Sequence, residues 1–343
     1  MTQVPQGNCL DRARALIEGS LVWDNHTCLP LRPQETSFFP QLQRHKAAGF
    51  DAVTINVGFG EQGVEEHVRM LAALRLWFSQ HADEYVVLDE AHDVEYARQT
   101  DRLGVAFDIE GANAIANQIS LIELYRELGV RWMSLVYNTN NLVGGGCQDE
   151  DTGLTPFGRQ VVAEMERVGM LVCISHTGHR TACDVLNLAT RPVIFSHSNC
   201  AALQAHPRNI PDAMIRACAR TGGVVGLNGV GIFLGRNDSS SDAYARHVDH
   251  VVQIVGPEHA CIALDYIFDM SELDELVSKK PHIFPSGMGY MSGMRFVAPE
   301  QLTEIVAVLQ GWGYADEDLQ KILGGNLARL IQEASNCSVR SVD

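Results

Sequence analysis

The stretch "FGRQVVAEMERVGMLVCISH", Phe157 to His176, sets two patterns back to back. Val161, Val162, Met165 and Val168 recur at helical spacing as one apolar stripe, and Gly169 follows as a C-terminal stop. Then "LVCISH" is a short apolar run closed by a polar residue. The same unit recurs along the chain. Its other runs are Leu21–Trp23 before Asp24, "AVTINV" near Asn56, "GVAFDIE" ending at Glu110, and "WMSLVYN" ending at Tyr137 and Asn138. "VIFSH" ends at His197, "VVGLN" at Asn228 and "CIALD" at Asp265, which makes eight. Continuous apolar runs of this length suit strands buried on both faces of a parallel sheet. Eight strand–helix units read as a (β/α)8 TIM-like barrel, whose active site lies at the C-terminal ends of the strands, where the polar residues gather. A doubly wound open sheet has the same periodicity and stays open as the alternative.

The barrel is expected over about residues 20–270. From Ser271 to Phe296 the chain is rich in Gly, Met and Pro and reads as a loop, either a wall over the barrel mouth or a structural excursion. Beyond Ala298 it reads as helices, to about residue 336, with a break at Gly324-Gly325-Asn326 between the last two.

The 343 residues are 46% apolar and 20% charged, which suits a globular protein with a large core. A net charge of -16 with no basic cluster argues against nucleic acid and anionic membrane surfaces as partners. No run approaches the roughly 18 apolar residues of a membrane helix. Acidic and basic residues interrupt the first thirty positions, unlike a signal peptide. The nine cysteines have no repeated spacing, so thiols in a reducing cytoplasm are expected rather than a disulfide framework. Cys9, Cys183, Cys218 and Cys337 read as small core filler.

Glu110, His176 and His197 each end a separate strand. Two imidazoles and a carboxylate suit Zn2+, which in catalytic sites keeps a position open for water and lowers its pKa to about 7. On the first strand, "LVWDNHTCLPL" (Leu21–Leu31) sets Asp24, His26 and Cys28 at spacings of two, so the three could converge on one face.

These motifs resemble the membrane (renal) dipeptidase family, zinc dipeptidases with amidohydrolase-like barrels. The resemblance runs from about Leu21 to Arg329. It is carried by "GLTPFGRQVVAEMERVGMLVCISHTG", "RPVIFSHSN", "PRNIPD" and "LGGNLARL". It implies one or two Zn2+ per chain. His26 matches the family's first-zinc histidine, Glu110 the glutamate bridging both zincs, and His176 and His197 the second-zinc pair. Arg208 matches the arginine that holds the substrate carboxylate. Asp265 matches the aspartate near the metal-bound water. Two positions depart from the family. Cys28 stands where the family has the other first-zinc ligand, an Asp, and Tyr137 stands where it has a histidine that steadies the tetrahedral intermediate. Cys28 could ligate as a thiolate, could mark a weak or empty first site, or could merely pack below it. Cys173 replaces another family Asp. His179, Arg180 and His206 read as loop hydrogen-bonders.

The resemblance thus implies a single metallohydrolase domain over 1–343, cytoplasmic on the cysteine reading, that cleaves small dipeptides, including ones with a C-terminal D-residue, and by family habit a homodimer. Asp265, Tyr137 and Glu110 form the expected catalytic set, with Arg208 and Tyr137 on the substrate. Cys28 and Tyr137 motivate a second expectation, a C–N hydrolase of another small amide or N-substituted amino acid. A non-catalytic metal-binding barrel is the third.

Overall fold

The computed structural model describes residues 7–90 and 92–338. Ten strands, separated by helices except for the last two, follow in order: β1 (Trp23–Cys28), β2 (Ala52–Phe59), β3 (Tyr85–Val87), β4 (Leu103–Glu110), β5 (Val130–Ser134), β6 (Leu171–Cys173), β7 (Val193–Ile194), β8 (Val225–Asn228), β9 (Ala260–Ala263) and β10 (Tyr266–Ile267). All pairings between them are parallel. They run β10-β1-β2-β4-β5-β6-β7, with β8 paired to β9. Phe195 bridges to Val225 and so joins β7 to β8. The ring returns to its start where Asp265 N–H donates to His26 O (2.9 Å) and β10 pairs with β1 through Thr27–Tyr266 and Cys28–Ile267. Eight of these strands are the eight runs of the sequence, and the fold is the expected TIM-like barrel rather than an open sheet. β3 is an addition that pairs along the start of β4.

The Phe157–His176 stretch folds as it reads. Its helix, Pro156–Val168, buries Val161, Val162, Met165 and Val168. Thr155 caps it by accepting from Gly158 N–H, and Gly169 ends it at φ 74. There a Cβ would stand 2.5 Å from Ala334 O, so glycine also lets the last helix approach.

Trp23, Ala52, Trp132, Leu171 and Val224, all near strand starts, cluster with Leu327 and Leu330. The C-terminal helix therefore closes the N-terminal end of the barrel. The break expected at Gly324-Gly325 is absent. Helix Asp316–Gln320 continues through a π turn, Lys321–Gly325, into Asn326–Ser338. Gly324 lies against Leu21 O, where a Cβ would be 2.6 Å away, so this glycine serves contact with the barrel rather than a stop.

The segment after residue 270 also differs from a plain loop: Met270–Lys279 is a helix capped by Asp269. Among the presumed core cysteines, Cys218 is buried, whereas Cys9 and Cys183 are exposed; the Cys337 side chain lies outside the described part. No helix of the described residues is long and apolar enough to cross a membrane.

Candidate active site

Glu110, the last residue of β4, His176, three residues past β6, and His197, three past β7, meet at the C-terminal end of the barrel. Glu110 Oε1 lies 2.8 Å from His176 Nε2 and 3.0 Å from His197 Nε2, and the two Nε2 atoms are 2.8 Å apart. Both Nδ1 atoms are held from outside the cluster. His176 Nδ1–H donates to Asn138 Oδ1 (2.7 Å), and His197 Nδ1 is engaged by Ser196 Oγ (2.9 Å). Burial keeps both imidazoles neutral, well below their ordinary pKa. Three potential ligand atoms therefore face one point, and buried Glu110 Oε1 has no hydrogen-bond donor. Such a set is costly without a positive charge. Its chemistry fits a divalent cation of the zinc kind.

A second cluster adjoins it. His26 Nε2 is 3.5 Å from Cys28 Sγ, 3.4 Å from Asp265 Oδ1 and 3.8 Å from Glu110 Oε2. Cys28 Sγ lies 3.6 Å from Asp265 Oδ1. His26 Nδ1 faces Asp108 Oδ2 at 3.0 Å, which turns Nε2 toward the cluster. His26 also stacks on His197, ring centroids 4.1 Å apart. Burial disfavours a charged His26, but Asp108, Cys28 and Glu110 outweigh it and raise its pKa. Burial pushes the Cys28 thiol up. Asp265 is stabilised as an anion despite its burial: His26, His197 and Arg208 hold it at about 2, and Asn228 Nδ2 donates to Oδ2 (2.7 Å). Asp24 does not join this cluster. Its carboxylate accepts from Leu264 N–H (2.8 Å) and meets His45 Nε2 (2.9 Å), tying β1 to the end of β9.

His176, Asp265 and Asn138 adopt left-handed backbone, φ 66, 53 and 57. That costs about 1–3 kcal/mol each and is concentrated at functional sites. Here it aims the side chains inward just past the strand ends.

Above both clusters opens a cavity of about 230 Å3. The 267–296 segment forms one apolar wall, with Leu273, Leu276, Phe284, Tyr290, Met294 and Phe296. The Tyr137 ring stacks on His176 at 4.2 Å, and burial raises its phenol pKa. Arg208 is buried, donates to His197 O (3.2 Å) and lies 5.6 Å over the Phe233 ring. Among the described residues it makes no ion pair. His206 spans between them: its Nδ1 accepts from Arg208 N–H (3.0 Å) and its Nε2 meets Met288 O (2.7 Å). It is the loop hydrogen-bonder expected.

Residues 10–286 match the family model of membrane dipeptidases, peptidase family M19. The chain belongs to this family. Among curated relatives it is similar to dipeptidase tcpJ of Claviceps purpurea, 27% identical over 313 residues, 86% of this chain and 68% of that protein. The chain spans 56 to 68% of the length of the curated relatives it matches. An amidohydrolase from Pseudomonas aeruginosa superposes with a TM-score of 0.83 at 25% identity, covering 94% of this chain and 99% of that one. A metallo peptidase from Rhodobacter sphaeroides, liganded with a phosphinate mimic of the dipeptide L-Ala-D-Ala, shares the fold at TM-score 0.75 and 20% identity, over 92% and 99% of the two chains.

Within this dipeptidase-family barrel, Cys28, Glu110, Tyr137, His176, His197, Arg208 and Asp265 line the cavity and His26 lies beneath it, whereas Asp24 does not join them. The residues that orient them were not singled out. Asp108 precedes Glu110 by two and so shares its face of β4. Asn56, Asn138 and Asn228 each closed an apolar run, which was their only signal. Asn56 Nδ2 donates to Asp108 Oδ1 (2.9 Å) and lies 3.3 Å from Glu110 Oε2. Cys173, at the place of a family Asp, donates its thiol to Ser196 Oγ (3.0 Å), next to His197 Nδ1.

Proposed function

We propose that this protein is a zinc-dependent hydrolase that cleaves the amide bond of small dipeptides with an apolar side chain, C-terminal D-residues included. The observation that carries this reading is the convergence of Glu110 Oε1, which has no hydrogen-bond donor, with His176 Nε2 and His197 Nε2 beneath a cavity holding a buried arginine without an ion-pair partner among the described residues. Glu110, His176 and His197 would hold one cation, and His26 faces a second position. When bound, the cation supplies Lewis-acid chemistry, polarising a carbonyl and making water acidic enough to act as a nucleophile at neutral pH.

The chain's own groups do the rest. Arg208 binds the substrate carboxylate through the guanidinium face that His197 O leaves free. The apolar wall of the 267–296 segment receives a side chain and excludes water. Asp265, ionised at neutral pH, takes the proton of the attacking water and returns it to the leaving amine. Tyr137, kept protonated by burial, donates its O–H to the developing oxyanion. The eight described cysteines are free thiols, which agrees with a reducing cytoplasm. A homodimer follows from family resemblance and is checked by solution mass.

A second reading has its own observation. On the cavity rim Glu272 is paired with Arg32 (3.0 Å) and Lys280 with Glu61 (3.2 Å). Among the described residues of the rim no carboxylate is thus left unpaired for a substrate ammonium, which favours an N-acylated amino acid. A panel of L-L and L-D dipeptides beside their N-acetyl forms, with excess Zn2+ and free-amine release as readout, separates the two. Chelator-sensitive turnover of free dipeptides upholds the first reading. Turnover of N-acyl substrates alone transfers the assignment to the second, and turnover of neither rejects both.

A further inference from the structure

The second cluster differs in kind from the first. Tetrahedral ligands at ordinary zinc bond lengths stand about 3.3–3.6 Å apart. His26 Nε2, Cys28 Sγ and Asp265 Oδ1 form a triangle with edges of 3.4, 3.5 and 3.6 Å. The three donor atoms are thus spaced as one face of such a tetrahedron. His26 and Cys28 share a strand two residues apart, and Asp265 is brought to them by the closing hydrogen bond from its own N–H to His26 O. Asp108 holds the far side of the His26 ring, and Asn228 holds the far oxygen of Asp265. Two of the three donors are therefore fixed from behind. A further observation points to a ligand here: Glu110 is shared by the two clusters, with its Oε2 3.8 Å from His26 Nε2 and its buried Oε1 lacking any donor.

We propose that His26, Cys28 and Asp265 form a thiolate-bearing metal position that takes a thiophilic divalent cation, Zn2+, Cd2+ or Co2+, beside the position held by Glu110, His176 and His197. The inference rests on the metallohydrolase reading above and extends it to the residue that departs from the family. Ligation breaks the Cys28 S–H bond, forms a metal–sulfur bond and releases that proton, together with the one carried on His26 Nε2, to solvent; no oxidant is involved. Asp265 engages through Oδ1. Its Oδ2 accepts from Asn228 with one lone pair and keeps the other for the proton of the reaction. A sulfur ligand makes this position softer than the all-nitrogen-and-oxygen position next to it. The two should fill in a different order with different metals: a thiophilic cation enters here first, and a hard cation such as Mn2+ prefers the other.

The test is metal titration of the metal-free full-length protein with Co2+ and Cd2+, followed by ultraviolet–visible absorption and bound-metal analysis. Two equivalents should bind, and one of them should bring a thiolate-to-metal charge-transfer band. Cys28→Ser should lose the band and bind that equivalent at least tenfold more weakly. Cys28→Asp should bind two equivalents with no band. Far-ultraviolet circular dichroism confirms folding of each variant, and the wild-type band stands as a measurement even if Cys28→Ser misfolds. Two bound equivalents with no band, or a band that survives Cys28→Ser, would overturn the proposal. Failure here and failure of the functional reading are separable. Chelator-sensitive turnover without a band rejects the thiolate position alone, whereas a Cys28-dependent band without turnover on the substrate panel rejects the functional reading alone.

Discussion

Both donor clusters lie at the C-terminal end of one barrel and share Glu110, yet they are built differently. The Glu110–His176–His197 cluster draws its ligands from three strands or the loops just after them, with donor atoms crowded to 2.8–3.0 Å. The His26–Cys28–Asp265 cluster comes from β1 and the seam where the ring closes, with donors 3.4–3.6 Å apart. In the first, neutral imidazoles face Glu110 Oε1, which has no hydrogen-bond donor. In the second, surplus negative charge raises the His26 pKa, so a proton can stand in for a cation. The lesson is that two halves of one site can depend on metal to different degrees: the first half is unsatisfied without it, whereas the second can be satisfied by a proton.

That difference sets the largest expected effect. His197→Ala should abolish tight metal retention and lower kcat/KM by about 1000-fold or more, which is about 4 kcal/mol of transition-state stabilisation. His26→Ala should lose one bound equivalent and keep the other. Bound-metal analysis with steady-state kinetics on both variants checks this. Equal loss of both equivalents in each variant would show that the clusters act as one indivisible centre.

Tyr137 belongs to the first half through its stack on His176. Tyr137→Phe keeps the ring and removes the hydroxyl. Loss of one oxyanion donor costs about 100-fold in kcat, with KM and metal content little changed. A variant with unaltered kcat would reduce Tyr137 to a packing role.

How far each half could be read from sequence follows from the same construction. Glu110, His176, His197 and Asp265 stand where apolar runs stop, and the run pattern alone places such residues at one end of a barrel. The pairings that turn their rings are set by neighbours in the ring, as with Asn138 for His176 from the loop after β5. Strand order, not local sequence, decides who those neighbours are. Asp24 shows the limit of the spacing rule. The β1 register shifts between Asp24 and Thr27, so a spacing of two does not carry Asp24 to the face where His26 and Cys28 meet. The helix at Met270–Lys279 was hidden because the Gly- and Pro-rich part of its segment comes after it, and the role of Gly324 because it is a contact with Leu21, distant in sequence.

The partners that hold the imidazoles offer a smaller test of the same contrast. Ser196→Ala cuts the chain from Cys173 to His197 Nδ1, and Asp108→Asn weakens the hold on His26 Nδ1. Each should lower metal affinity about 10- to 100-fold, and each at its own cluster only, as competition with a chelating dye would register. Loss at both positions from either change would mean that the His26–His197 stack transmits orientation between them.

His247 supplies the control that separates burial from metal binding, with the smallest effect. It is as buried as the site histidines, but the backbone serves both its nitrogens: Cys200 N–H donates to Nδ1 (3.1 Å), and Nε2–H donates to Leu234 O (3.2 Å). Burial lowers its pKa to about 4, against about 6.5 in an unfolded chain. Between these values the unfolded state takes up a proton that the native state refuses, so stability is full above about pH 6.5 and falls as the pH drops toward 4. The loss is on the order of 1 kcal/mol at pH 5.5. Urea unfolding of the metal-free protein at pH 7.5 and 5.5 should show it, and His247→Gln should shrink the difference between the two by about that amount. If the variant kept the full pH dependence, the loss would belong to the site histidines, and burial alone would not account for the acid sensitivity of a histidine whose nitrogens are already satisfied.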